Sequence, residues 1–431
     1  MRKGTMKLIL IGAVVLIAAI SMFGCKPQKV TLEFWLYGGT PDNIEWNKAQ
    51  VADWNAKNPD IQVNMSLQSW NTMFEHFQTA AATKTMPDVA RIHGSMITQY
   101  GSGGFIEPFE NFSDWKTVQK DYIAGYLDSL KVKGKQYGFA QTGLIFVLQG
   151  NKKLFDEAGL PGLPTTWTQL KEYAKKLTKD TNKDGKIDQW GYSIVGASAR
   201  DFTYRWSEYM LKAGGEVLNP DWTESLVNGP AWEGAVQLFA DMKKDGSLDP
   251  AFIATDYQGQ LNKIAANKVA MWLEGGYIVG GILAAAPNFP LLFGAVPTPD
   301  TKLGTGPQGT LTDIAAVVLS STSTKKAAAW KFMKWYTGPD RDKDYVLNPL
   351  LGGLPVVSAS MNLPEWKTTP GFNAYAAEGP TVRPMPAHPR LVEMIEQGWT
   401  PPILKAINGQ MSAADALKEA KTACDAILAR K

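Results

Sequence analysis

Cysteine and histidine are almost missing from this chain. Of its 431 residues, two are cysteine (Cys25 and Cys424) and three are histidine (His76, His93 and His388). Two cysteines build no disulfide framework, and no two histidines stand at the helical spacing that zinc hydrolases use. The sequence has no Gly-x-Ser-x-Gly elbow for a nucleophilic serine and no Walker A loop for a nucleotide phosphate. Net charge is also missing once the first residues are set aside. There are 44 Lys+Arg against 41 Asp+Glu, and Arg2, Lys3 and Lys7 account for the whole excess. A balanced surface leaves no electrostatic footprint for nucleic acid, which is excluded as a partner. Only one long apolar run exists, and it lies at the N-terminus.

That run extends from Leu8 to Phe23 without a charge, behind the basic start and ahead of Gly24-Cys25 and Lys26-Pro27-Gln28-Lys29. A basic region, a short apolar core and a small residue before a break make a secretory leader. It falls short of the roughly 20 residues that a permanent membrane span needs, though an uncleaved anchor is the alternative. Gly24-Cys25 resembles the bacterial lipobox, in which the cysteine is acylated and becomes the new N-terminus; Met22 and Phe23 depart from the usual residues there. The reading is a leader over residues 1–24, lipidation at Cys25, and a protein exported and tethered to the outer side of a membrane. Cys424 recurs with Ala416, Leu417, Ala420, Ala423, Ile427 and Leu428 at helical spacing between Ser412 and Leu428, which predicts a buried, inert thiol.

The chain beyond the leader is long enough for two domains. Val30, Leu32, Phe34 and Leu36 alternate with Thr31, Glu33, Trp35 and Tyr37, a strand that ends in the turn Gly38-Gly39-Thr40-Pro41. A helix is expected from Ile44 to Lys57, a strand through Ile61, Val63 and Met65, an amphipathic helix on Met73, Phe74, Phe77, Ala80 and Ala81, and a buried strand at Val89–Ile92. This order predicts a parallel α/β sheet. After Gly134 the pattern restarts. An apolar run from Tyr137 to Leu148 precedes a helix opened by Thr166 and Gln169, a capping box. Strands are expected at Trp190–Val195, Val269–Leu273, Phe293–Val296 and Ile314–Leu319. Two α/β runs with no linker between them suggest two lobes joined by crossing strands.

Gly304-Thr305-Gly306-Pro307-Gln308-Gly309 matches a dinucleotide fingerprint in letters alone. Prolines surround it and no helix comes after it, so it reads as a surface turn. Asp180-Thr181-Asn182-Lys183-Asp184-Gly185-Lys186-Ile187-Asp188 places oxygen ligands at alternate positions with glycine sixth, as a calcium loop does. Asp180, Asn182, Asp184 and Asp188 are the candidate metal ligands. Gly191 stands at the twelfth place instead of a bidentate glutamate, and the alternative is a polar turn. No cofactor beyond this structural calcium is expected. Paired carboxylates for glycoside cleavage are available in any chain this acidic and carry no weight. Fifteen tryptophans, 14 tyrosines and 17 phenylalanines are a heavy aromatic load; several sit beside turn residues, where a cleft can use them.

Thr31-Leu32-Glu33-Phe34-Trp35, Trp54 to Val63, Pro87-Asp88-Val89, Gly104 to Pro108, Gly134 to Gly138 and Leu154 to Leu160 with Thr166-Trp167 form an ordered series. Asn182 to Gly185, Ala327 to Phe332, Gly353-Leu354-Pro355 and Ala416-Leu417 complete it. The series resembles the carbohydrate-binding lipoproteins of ABC importers, most of all the maltodextrin-binding type. The resemblance implies an α/β, two-lobed periplasmic-binding-protein fold with a central cleft and three crossings, expected near Phe139, Thr298 and Val346. The lobes would be residues 25–139 plus 299–345 and residues 140–298 plus 346–431. It also implies a non-enzymatic, monomeric receptor that closes on a small carbohydrate and docks on the permease subunits of an ABC transporter. The ligand contacts it suggests lie just past strand ends. They are Tyr37, Trp70, His93, Ser95, Arg200, Asp201, Glu274, Tyr277 and Arg383. Trp70 can instead staple its helix, Arg383 can pair with an acid, and His76 is expected on a solvated flank. A membrane-anchored glycoside hydrolase, or a receptor of the same fold for a glycerol phosphate compound or polyol, are the competing functions.

Overall fold

The structure is a computed structural model, and it describes residues 29–386 and 388–430. The leader, Cys25 and the expected acylation lie outside the described residues. No helix among those described is long and apolar enough to cross a membrane.

Twelve strands are present among the described residues: β1 (Val30–Tyr37), β2 (Ile61–Gln68), β3 (Val89–His93), β4 (Lys131–Val132), β5 (Lys135–Gln136), β6 (Phe139–Ile145), β7 (Val147–Asn151), β8 (Trp190–Ser193), β9 (Val269–Glu274), β10 (Leu291–Gly294), β11 (Thr310–Leu319) and β12 (Val382–Pro384). The first sheet runs β12-β11-β3-β1-β2, with β6 also paired to β11. The second runs β10-β7-β9-β8. Strand–helix alternation predicted parallel sheets, and the βαβ part obeys: β1 is parallel to β2 and β3, and β8 to β9. Both sheets are nevertheless mixed. β11 opposes β3 and β6, and β7 opposes β9 and β10. These antiparallel strands belong to chain that passes between sheets, which no helical crossover constrains to be parallel.

The first passage is the β6–β7 run, interrupted only at Phe146. β6 hydrogen-bonds in the first sheet and β7 in the second. The chain returns between β10 and β11. Val346, Leu354, Trp366, Ala374 and Tyr375 then pack against Ile145 and Val147, a small apolar cluster at the junction of the sheets. The first lobe's core gathers Phe34, Trp54, Phe77, Phe109, Phe139 and Phe332. The second holds Trp206, Trp232, Phe239, Met271 and, from the last helices, Trp399 and Cys424. Burial pushes the Cys424 thiol up to about 12, as expected of an inert core cysteine.

Local chemistry moved one boundary and set two details. The first helix spans Pro41–Lys57, three residues earlier than the apolar pattern suggested, because the Thr40 side chain caps Asn43 N–H and Pro41 fits the first turn. Thr166 caps Gln169 N–H of the helix Trp167–Leu177, but the Gln169 side chain reaches back to Thr165 rather than completing the reciprocal box. The 304–309 turn lies on the end of the helix Ala199–Lys212: Gly304 N–H bonds Ala213 O at 2.8 Å and Gly306 N–H bonds Gly214 O at 2.9 Å.

Candidate functional site

The second lobe supplies one wall. Ser198 caps Asp201 N–H and starts the helix Ala199–Lys212. One turn on, Arg205 is 4% exposed and meets Glu274, the wholly buried last residue of β9. Its Nε and Nη2 donate to the two carboxylate oxygens at 2.6 and 2.8 Å, its Nη1 to Asp201 O at 2.8 Å, and Nη2 also to the Tyr277 hydroxyl at 3.0 Å. Tyr277 in turn donates to Glu274. The result is a closed charge-assisted ring. Burial alone would lower the Arg205 pKa, but Glu274 chiefly, with Tyr277 and Asp201, raises it above the ordinary guanidinium value. Burial holds the Tyr277 phenol well above its usual range, Arg205 opposing and Glu274 reinforcing the shift. The hydrogen bonds fix the orientation of all three side chains, so the ring presents donors and acceptors in one arrangement. Tyr257 adds a second phenol, its ring 5.9 Å from that of Tyr277.

The first lobe supplies the other wall. His93 ends β3 with its Nδ1 2.7 Å from the Ser95 hydroxyl. Its ring lies 5.9 Å from both Trp70 and Phe74. Trp70 reaches this place because Gly38 has no side chain; a Cβ there would stand 2.8 Å from the Trp70 Cβ.

The walls meet. The Tyr204 ring packs edge-on to His93 at 5.0 Å. The Arg200 guanidinium sits 3.9 Å over the Phe74 ring, 3.7 Å from Glu75 across the seam and 3.2 Å from Glu396 on its own side. His93, with Trp70 and Ser95 beside it, therefore meets Tyr204 across the seam, Phe74 and Glu75 meet Arg200, and Asp201, Glu274 and Tyr277 join the second wall through their bonds to Arg205. Two expected contacts lie elsewhere. Tyr37 is wholly buried beneath the helix Met73–Thr83, its hydroxyl 3.0 Å from His76 Nδ1, and burial raises its pKa. His76 is accordingly not a solvated flank residue: it stacks on Trp35 at 4.6 Å. Arg383, on β12, pairs with Glu216 at 2.6 Å and donates to Pro307 O at 2.9 Å.

Sequence reasoning passed over Phe74, Tyr204 and Arg205. The signal for the last two was present: Ser198-x-x-Asp201 is a helix start, and it puts Tyr204 and Arg205 one turn beyond Arg200 and Asp201 on the same face.

In the 180–188 loop the Asp180 carboxylate accepts Gly185 N–H at 2.7 Å and Asp184 N–H at 3.2 Å, and Asp188 accepts Thr181 N–H at 2.8 Å. Gly185, at φ +88°, makes the turn. Among the described residues no group of three or more His, Cys, Asp or Glu is arranged to hold a metal ion.

Several known proteins share this arrangement of chain. A binding protein of Brucella abortus is 25% identical over 86% of this chain and 87% of its own. A maltotriose-binding protein of Pyrococcus abyssi is 21% identical over 85% of this chain and 75% of its own. The solved structure of an ABC substrate-binding protein from Listeria monocytogenes in complex with cycloalternan superposes with a TM-score of 0.80 at 21% identity, covering 94% of this chain and all of that one. The profile of the bacterial extracellular solute-binding proteins matches residues 40–343. The chain belongs to that family, the extracellular solute-binding proteins of bacteria.

Proposed function

We propose that this protein is the sugar receptor of an ABC importer, anchored through an acylated Cys25, and that it takes an oligosaccharide into the seam between its lobes and delivers it to the permease subunits. The carrying observation is the pairing of walls: aromatic rings of Trp70, Phe74 and His93 on one side, and Tyr204 with the Arg205–Glu274–Tyr277 ring on the other. Aromatic faces cover the apolar faces of sugar rings, and charge-assisted groups bond their hydroxyls. The relatives named for maltotriose and bound to cycloalternan support a glucan-type oligosaccharide. Lobe boundaries near residues 139, 298 and 345 belong to the same reading, as does a monomeric state. Entry requires the His93–Tyr204 and Arg200–Phe74 contacts to part, so ligand and lobe movement are linked. Within this reading Tyr37 acts from behind the seam, through His76 and β1.

The test is a thermal-shift series on the leader-less protein with mono- and oligosaccharides. A ligand at a hundred times its Kd adds about 2.7 kcal/mol of stability. The shifting sugar is expected back intact after long incubation; release of reducing ends in proportion to protein overturns the receptor reading in favour of a hydrolase.

A further inference from the structure

The helix Ala199–Lys212 has two ends. Its first turns carry Arg200, Tyr204 and Arg205 to the seam, and its C-terminal end leads through Gly214 to a loop around Trp222. A cavity of about 530 Å³ opens there, and none of the seam residues lines it. Asp128 and Lys131 of the first lobe and Arg383, on β12 of the first sheet, line it together with Glu216, Asn219 and Trp222.

Its chemistry narrows what fits. Trp222 is 41% exposed, an uncommon state for so large an aromatic. Its backbone is held at φ +56°, a left-handed conformation disfavoured for a bulky residue, with its N–H bonded to Asn219 O at 3.0 Å. The Asn219 side chain fixes that turn by accepting Thr223 N–H at 2.8 Å and Glu224 N–H at 3.1 Å. The ring meets His388 edge-on at 6.0 Å. The lining charges cancel: Lys131 pairs with Asp128 at 2.6 Å and Arg383 with Glu216 at 2.6 Å. An anion would have to displace a carboxylate, and a cation an arginine or lysine. A neutral polyhydroxyl ligand displaces neither, since each ion pair keeps free donor and acceptor capacity for hydroxyls. The volume lies within the range of small-molecule sites.

We propose that this cavity is a second saccharide site, in which Trp222 covers the apolar face of a sugar ring and the Arg383–Glu216 and Lys131–Asp128 pairs bond its hydroxyls. It rests on the sugar reading of the seam. Because both lobes line it, an occupant touching both favours the arrangement in which they face each other. Its binding is therefore coupled to that at the seam, equally in both directions.

The experiment is calorimetric titration of the leader-less chain with maltotriose and with a chitin disaccharide, alongside Trp222→Gly and Tyr204→Ala. Glycine suits the backbone at 222, so that variant keeps the fold. The parent is expected to take two equivalents, and Trp222→Gly one, with the weaker class lost or weakened tenfold or more. Tyr204→Ala is expected to lose the other class. The indole N–H signal that disappears in Trp222→Gly should shift when the parent is titrated. One equivalent in the parent, unchanged in Trp222→Gly and with that indole signal unmoved, overturns the second site and leaves the seam reading standing. No binding of any sugar by the parent overturns the seam reading itself.

Discussion

Replacing Glu274 by glutamine tests the ring at the seam. The change keeps the shape and removes the charge that faces Arg205. Glu274 is wholly buried and Arg205 is 4% exposed, so water cannot take over the lost partner. The remaining acid is Asp201, whose Oδ1 lies 3.7 Å from Arg205 Nη1, too far for a hydrogen bond. Breaking a buried pair by removing one member costs about 3–5 kcal/mol, chiefly the penalty of the stranded charge. Each kcal/mol lowers the melting temperature by roughly 2–4 °C in units of this size. The expected fall is therefore about 6–20 °C, read by calorimetry. The pair is not, by the same argument, a large net stabiliser, because its own desolvation offsets the attraction. Arg205→Met with Glu274→Met should then recover much of the single variant's loss while binding no sugar. That split separates a ring maintained for recognition from one maintained for folding. A Glu274→Gln protein melting within about 2 °C of the parent, or a double variant no more stable than the single one, refutes the reasoning.

The same geometry sets three further outcomes. Tyr277→Ala is expected to weaken sugar binding by roughly 1–3 kcal/mol, through a lost aromatic contact and an unpaired Glu274–Arg205 edge, and to leave the saturated protein less compact by small-angle scattering; equal affinity and compaction would remove Tyr277 from the site. Asp184→Ala should lower the melting temperature in calcium buffer and not in chelator if the 180–188 loop binds the ion, whereas a parent melting equally in both buffers has only a polar turn there. Asp342 is buried and accepts the N–H groups of Val356 and Val357, and burial raises its pKa from 3.8 to about 6. The folded protein thus holds the proton more tightly than the unfolded chain, so this group's contribution is complete below the unfolded value and is lost as pH rises through about 6. Asp342→Asn should flatten that decline in a melting series from about pH 4 to 7, and an unchanged slope would assign it to other groups.

How much of this was legible in the sequence depended on whether a signal was local. The alternation of Leu32, Phe34 and Leu36 named β1 and its buried face, and the restart of the pattern after Gly134 announced a second lobe. The end of β1 was not legible. Leu36 and Tyr37 are both buried, because the helix Met73–Thr83 covers the strand's last residue, and no alternation records which later helix lies over which strand end. Tyr37 consequently read as a cleft residue. Arg383 misled for a related reason: its loop is close in sequence to the C-terminal helices, but three residues of β12 pair with the start of β11 and carry the side chain to Glu216. The mixed direction of the sheets was hidden because strand direction at a crossing is set by partners far along the chain. Arg205, by contrast, was hidden only because no helix was expected over residues 199–212, where Arg200 and Asp201 were placed just past a strand end.

That helix decides where the lobes can part. Beyond the seam residues, buried Glu208 accepts Leu311 N–H at 3.0 Å and the Thr310 hydroxyl at 2.9 Å, holding the start of β11 where the chain re-enters the first sheet. Lys212 pairs with Glu378, which also accepts Val296 N–H at 2.8 Å just after β10. Burial pushes the Glu208 carboxyl well above the usual range, with the neighbouring Glu378 charge adding to it. Each of these groups is sealed from water, so separating one from its partner leaves a buried polar atom unsatisfied, at about 1–3 kcal/mol apiece and more where a charge is involved. The seam contacts are weaker. An edge-on ring pair such as His93–Tyr204 contributes about 0.5–1.5 kcal/mol, and a part-exposed cation over a ring about 0.5–1. On the proposed receptor reading, the lobes would part at the seam and not at the joint between this helix and the returning chain. In that reading the helix that carries Tyr204 and Arg205 to the seam would move with the start of β11, to which Glu208 bonds it, and so would tie a ligand contact at the seam to the strand that joins the lobes.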